Sequence, residues 1–109
     1  MALLTLTTSQ EQDAVRIALS GELDMSSALL FDDELKRIED SDDADTIVLD
    51  LRALKFVDST GLRLILSAHA RARRRGRRLR IVQGSDAVKR IFRLTGMRDR
   101  LDIVDASAG

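Results

Sequence analysis

The sequence predicts one α/β domain over residues 1–109, a mixed β-sheet of four to five strands covered by about three to four helices. Three observations predict it. Apolar residues first alternate, then recur at helical spacing, then appear as short β-branched runs separated by two further helical stripes. Six glycines fall between these stretches as punctuation, and no proline or linker-like segment interrupts them. The length of 109 residues with 44% hydrophobic and 33% charged residues is an ordinary balance for one compact domain with a real core.

The elements follow in order. Leu4, Leu6 and Thr8 alternate with polar or small residues, as do Val15, Ile17 and Leu19. This marks two half-buried strands joined as a hairpin across the polar stretch 9–13 and ending at Gly21. Ala28, Phe31, Leu35 and Ile38 then recur at helical spacing, which predicts a helix from about Ser27 to Glu39. Ile47-Val48-Leu49 is apolar on both faces and suits a central strand covered by helices. Leu62, Ile65, Leu66 and His69 mark one stripe of a second helix, which ends in an Arg cluster with Gly76 just past its C-terminus. Leu79 to Val82 reads as a strand stopped by Gly84. Val88, Ile91, Phe92 and Thr95 mark a third helix closed by Gly96, and Leu101 to Val104 is a final edge strand or extended tail.

Composition excludes several function classes. With no Cys, there is no disulfide framework, thiol nucleophile, Fe–S cluster or Cys-based zinc site. No apolar run approaches the about 18 residues needed to span a bilayer, and Met1 to Thr5 lacks a basic signal-peptide start. The expectation is a cytoplasmic protein with no membrane association. The net charge of zero hides an asymmetry: residues 1–58 hold 14 acidic and 5 basic side chains, residues 59–109 hold 4 and 13.

Nothing in the sequence assembles an enzyme active site. His69, the only histidine, lies on the apolar stripe of the second helix and reads as a packed or boundary residue. Glycine-rich phosphate loops are missing, and the acidic clusters lack the spacing of a calcium loop. No catalytic residue, metal or cofactor is expected. The informative segment is Asp58-Ser59-Thr60-Gly61. Ser59 there reads equally as a helix cap or as an accessible phosphorylation site, because free N–H groups and the helix dipole favour a phosphate. Gly61 costs helix stability, about 1 kcal/mol relative to Ala, which suggests that something else must approach the backbone.

Gly21-Glu22-Leu23-Asp24, Val48-Leu49-Asp50-Leu51, Phe56-Val57-Asp58-Ser59-Thr60-Gly61-Leu62 and Val88-Lys89-Arg90-Ile91-Phe92 with Gly96 resemble the STAS family, most closely its bacterial anti-sigma-factor antagonists. The match spans nearly the whole chain in order, with Asp24 and Asp58 34 residues apart. The resemblance implies Ser59 as phosphoacceptor, with Thr60 as second candidate, and Asp24 as the acidic residue near it. The expected partner-binding surface comprises Asp24, Asp58, Ser59, Thr60, Gly61 and Arg63. In the family, the unphosphorylated antagonist sequesters an anti-sigma factor that is also a serine kinase, freeing the sigma factor. Phosphorylation separates the pair, and a PP2C-type phosphatase resets it. The chain would be the substrate of two enzymes, a monomer when free, and a catalyst of nothing. Arg63 departs from the Gly that many relatives carry there. It reads as an exposed helix residue, yet at i+4 from Ser59 it is placed to pair with a phosphate or an acidic patch on a partner.

Two other readings remain open. Arg71, Arg73, Arg74, Arg75, Arg77, Arg78 and Arg80 place seven cations in ten residues, the footprint of a nucleic-acid-binding module. Against it, aromatic residues for stacking are scarce, and if the first two helices share a sheet face, the acidic end 39–45 neutralises the cluster. Direct nucleic-acid binding is therefore not expected. The same fold also resembles accessory subunits of lipid-transport ATPases and the cytoplasmic domains of anion transporters. The lack of a membrane segment disfavours the transporter, and a lipid-transport subunit or signalling scaffold is the alternative. The intact Asp-Ser-Thr-Gly favours the phosphorylation switch.

Overall fold

The computed structural model describes residues 3–41 and 45–105. Five strands form one sheet in the order β1 (Leu4–Glu11), β2 (Ala14–Leu23), β3 (Thr46–Val57), β4 (Arg78–Gln83) and β5 (Asp102–Asp105). The β1–β2 pair is antiparallel and the other three pairings are parallel. Helices α1 (Ala28–Glu39), α2 (Ser59–Arg74) and α3 (Asp86–Leu94) form the three crossovers, and a 3₁₀ turn at Met97–Asp99 leads into β5.

Each crossover advances one strand in the same direction, so right-handed connections set all three helices on one face. The core agrees. Val15, Ile17 and Leu19 of β2, Ile47, Leu49 and Leu51 of β3, and Leu79 and Ile81 of β4 form one cluster with the helices. Phe31 and Leu35 of α1, Ile65 and Ala68 of α2, and Val88 and Phe92 of α3 meet them there.

This corrects the reading of β3 as covered on both faces. Val48 points to the opposite, helix-free face and is only half-buried. On that face Asp50 is buried beneath its own ion pairs, to Arg52 Nη2 at 2.6 Å and Arg16 Nη1 at 3.0 Å. Gly21 is not a strand end either. Its φ is +103°, and a side chain there would stand 2.0 Å from the Leu3 carbonyl oxygen, so it permits the register shifts that carry β2 on to Leu23. β3 also runs farther than the apolar triplet suggests, through Val57, because β2 supplies a partner that long. The helix ends match the sequence: Gly76 and Gly96 both adopt left-handed backbone just past α2 and α3.

Candidate functional site

The site forms where the C-terminal ends of β2 and β3 deliver their loops side by side. Asp58 follows β3 directly and caps α2. Its Oδ1 accepts a hydrogen bond from the Gly61 N–H at 2.9 Å, and its Oδ2 accepts one from the Met25 N–H at 3.0 Å. The Asp58 N–H donates to the Leu23 carbonyl at 3.1 Å. One carboxylate thus ties the turn after β2 to the start of α2.

The cap is Asp58 and not Ser59, which corrects the cap reading of the serine. Extended backbone at Asp58 aims its carboxylate at the first helical turn. Ser59 is then the first helical residue, exposed, with no hydrogen bond to its hydroxyl among the described residues. Thr60 is half-buried and its hydroxyl is likewise unbonded. With the Gly61 N–H taken by Asp58, the Ser59 and Thr60 N–H groups are the orphan donors of this terminus.

Gly61 has a different reason from the one the sequence suggests. It is buried, and a Cβ there would lie 2.8 Å from both Leu23 Cγ and Val57 Cγ2. What approaches its backbone is the chain's own core. The packing of α2 onto the ends of β2 and β3 requires it, whatever else binds nearby.

Asp24 begins the turn after β2. Its Oδ1 accepts from the Ser26 hydroxyl at 2.7 Å, the Ser26 N–H at 3.0 Å, and the Ser27 N–H and hydroxyl at 3.2 Å each. The Ser26 hydroxyl foremost, helped by Ser27, holds this carboxyl below the usual carboxylate range. Asp24 is therefore bound into the turn that Asp58, the cap of α2, anchors through Met25. Arg63 is exposed one turn beyond Ser59. Both line a shallow, almost wholly apolar depression of about 280 Å³ with Leu62, Leu66, Thr95 and Met97. Sequence reading missed Thr95 and Met97 as neighbours of Ser59, because their approach depends on how the α3–β5 connection packs. Met25 is also largely exposed beside Asp58.

The chain matches the STAS domain family over residues 5–108. It belongs to that family. Among relatives, it is similar to the anti-sigma-B factor antagonist of Bacillus subtilis, with 26% identity over 106 residues covering 97% of this chain and 95% of that one. The fold is that of an anti-sigma factor antagonist from Mycobacterium paratuberculosis, with a TM-score of 0.83, 22% identity, and 93% and 85% of the two chains covered. It is also the fold of SpoIIAA in its unphosphorylated form, with a TM-score of 0.80, 22% identity, and 95% and 90% covered. This STAS domain has no described helix long and apolar enough to cross a membrane. Its described residues hold no group of three His, Asp or Glu side chains suited to a metal.

The arginine cluster divides in two. Arg71 grips Glu39 at the end of α1 through Nε at 2.7 Å and Nη2 at 2.9 Å. Arg75 Nη1 donates to the Glu39 carbonyl at 2.9 Å, and Arg77 Nη2 to the Ser41 carbonyl at 3.0 Å. The ends of α1 and α2 are neighbours, as one shared sheet face requires; among the described residues Glu39 answers Arg71, and Asp102 answers Arg80 at 3.5 Å. Residues 42–44 of the acidic run lie outside the described residues. Arg73, Arg74 and Arg78 meet no carboxylate among the described residues.

Proposed function

We propose that this chain is an anti-sigma-factor antagonist of the cytoplasm, switched by phosphorylation of Ser59. Unphosphorylated, it binds an anti-sigma factor of the serine-kinase type and so frees a sigma factor. The kinase then phosphorylates Ser59 and the pair separates, and a PP2C-type phosphatase restores the free hydroxyl. Thr60, half-buried, is the second candidate acceptor. The observation that supports this reading is the Ser59 hydroxyl: exposed, unbonded and set at the first position of a helix whose cap is supplied by its neighbour. No hydrogen bond among the described residues uses that hydroxyl.

The physics of the switch is local. A phosphoserine adds about −1.5 to −2 charges at neutral pH. The free N–H groups of α2 and Arg63 tolerate that charge while it is solvated. Pressed into a partner next to Asp58 and Asp24, it would be a desolvated charge, at a cost of about 3–5 kcal/mol if unpaired. A hundredfold loss of affinity needs only about 2.7 kcal/mol. The fold can stay as it is. The two SpoIIAA forms, unphosphorylated and phosphorylated, share this fold, which supports a switch without refolding.

Intact-mass spectrometry after incubation with host lysate and ATP tests the reading. One added phosphoryl group on the wild type, absent from Ser59→Ala, is the expected result. No addition in a lysate with demonstrably active anti-sigma kinase would overturn it.

A further inference from the structure

We propose that the C-terminal end of α2 carries a second anion site, built to hold a phosphoryl group, remote from Ser59. A shallow depression of about 240 Å³ is lined by His69, Arg73, Arg77, Arg78, Leu79 and Asp102. His69 lies ten residues after Ser59 on the helix, about 15 Å along its axis. The site is therefore separate from the phosphorylation switch and does not depend on it.

Three features of these side chains point to an anion. Arg73 and Arg78 are exposed, and neither meets a carboxylate among the described residues, although Arg71, Arg75 and Arg77 of the same cluster are engaged by Glu39 and Ser41. Their guanidinium forks are free to bind in the two-pronged manner that phosphate oxygens accept. Second, His69 Nδ1 is buried with no hydrogen-bond partner. A bare lone pair there is cheaper than an unpaired N–H, so the ring proton belongs on Nε2, which gives this lining residue a donor to offer. Third, the charge balance is positive. Arg73 and Arg78 outweigh Asp102, which is shared with Arg80 at 3.5 Å, and the about half a negative charge of the helix C-terminus.

Donors from several directions suit the tetrahedral oxygens of a phosphoryl group better than the two coplanar oxygens of a carboxylate. The depression is smaller than the about 300–1,000 Å³ that encloses a drug-sized molecule, so it fits a phosphoryl group and leaves the rest of its bearer in solvent.

The test is an NMR titration of the unphosphorylated chain, first with inorganic phosphate and then with adenosine 5′-monophosphate, at low ionic strength. Because the sequence contains one histidine, its ring resonances report the site without ambiguity. Saturable shifts of the His69 ring and of the Arg73 and Arg78 side-chain N–H groups are expected. Arg73→Gln and Arg78→Gln should each weaken binding by about tenfold, the loss of one charge-assisted pair. Arg74→Gln, on the same helix but outside the lining, should leave it unchanged. Response to both ligands assigns the site to phosphate carried on a larger molecule, and response to inorganic phosphate alone assigns it to the free ion. No saturable response to either ligand, or an equal loss in Arg74→Gln, would overturn the proposal.

Discussion

Replacing Gly61 with alanine separates a glycine kept for packing from one kept for a partner. The new Cβ would stand 2.8 Å from Leu23 Cγ and Val57 Cγ2 and 3.0 Å from Leu23 Cδ2. Carbon atoms sit comfortably at about 3.5–4.0 Å, so the shortfall is about 0.5–1.2 Å on three contacts. Neither neighbour can give way cheaply. Leu23 and Val57 are 0% and 1% exposed, Cγ is the branch point of the leucine, and valine is stiff at χ1. Overpacking of this kind costs about 1–3 kcal/mol, and alanine returns up to about 1 kcal/mol of helix propensity. A net loss of about 1–2 kcal/mol lowers the melting temperature by about 5–10 °C in a domain of this size. Thermal or urea unfolding of Gly61→Ala measures it. The loss should shrink in a Val57→Ala background, which removes one of the clashing methyl groups. An unchanged or raised melting temperature would refute the packing argument and return Gly61 to the role of an opening for a partner.

Asp58→Ala removes both the cap on Gly61 N–H and the tie to Met25 N–H, and urea unfolding should show a loss of about 1.5–3 kcal/mol. Asp58→Asn, which keeps an accepting oxygen, should recover much of it. Glu39→Gln leaves the Arg71 guanidinium, only a quarter exposed, without its charge partner, and should cost about 2–3 kcal/mol in the same assay. Acid should expose Glu34, whose pKa is lowered from the ordinary 4.5 to about 2 by the Arg37 guanidinium first, and also by the Thr8 hydroxyl. A depressed carboxylate contributes stability that is fully present above its unfolded pKa, so this contribution fades as pH falls from about 4.5 through about 2. Glu34→Gln should flatten that limb of a stability-against-pH curve. Ser59→Glu, which mimics part of the phosphate charge, should weaken binding to a purified anti-sigma kinase by tenfold or more by calorimetry and leave the melting temperature within about 2 °C of wild type.

Much of this protein is written locally. The alternation of Leu4 and Leu6, the helical stripe of Phe31, Leu35 and Ile38, and the glycines after α2 and α3 act over a few residues, through side-chain period and backbone freedom. The elements and their order were therefore legible from the chain alone, as was the Asp58-Ser59-Thr60-Gly61 segment on a helix start. Tertiary structure decided what these residues do there. Whether Asp58 or Ser59 caps α2 depends on the backbone angle at which β3 hands over to the helix. The reason for Gly61 lies in Leu23 and Val57, the former 38 positions upstream, and no local pattern reports that contact. The one-sided sheet follows from three crossovers stepping the same way, not from the apolar triplet of β3. The arginine cluster reads as one run in sequence, but the end of α2, the turn after it and the start of β4 point its members at different neighbours. Glu39 engages Arg71 and Arg75 on one side and leaves Arg73 and Arg78 open on the other. Periodicity and turn chemistry are properties of neighbours in the chain, whereas capping partners, close contacts and charge neutralisation belong to neighbours in space.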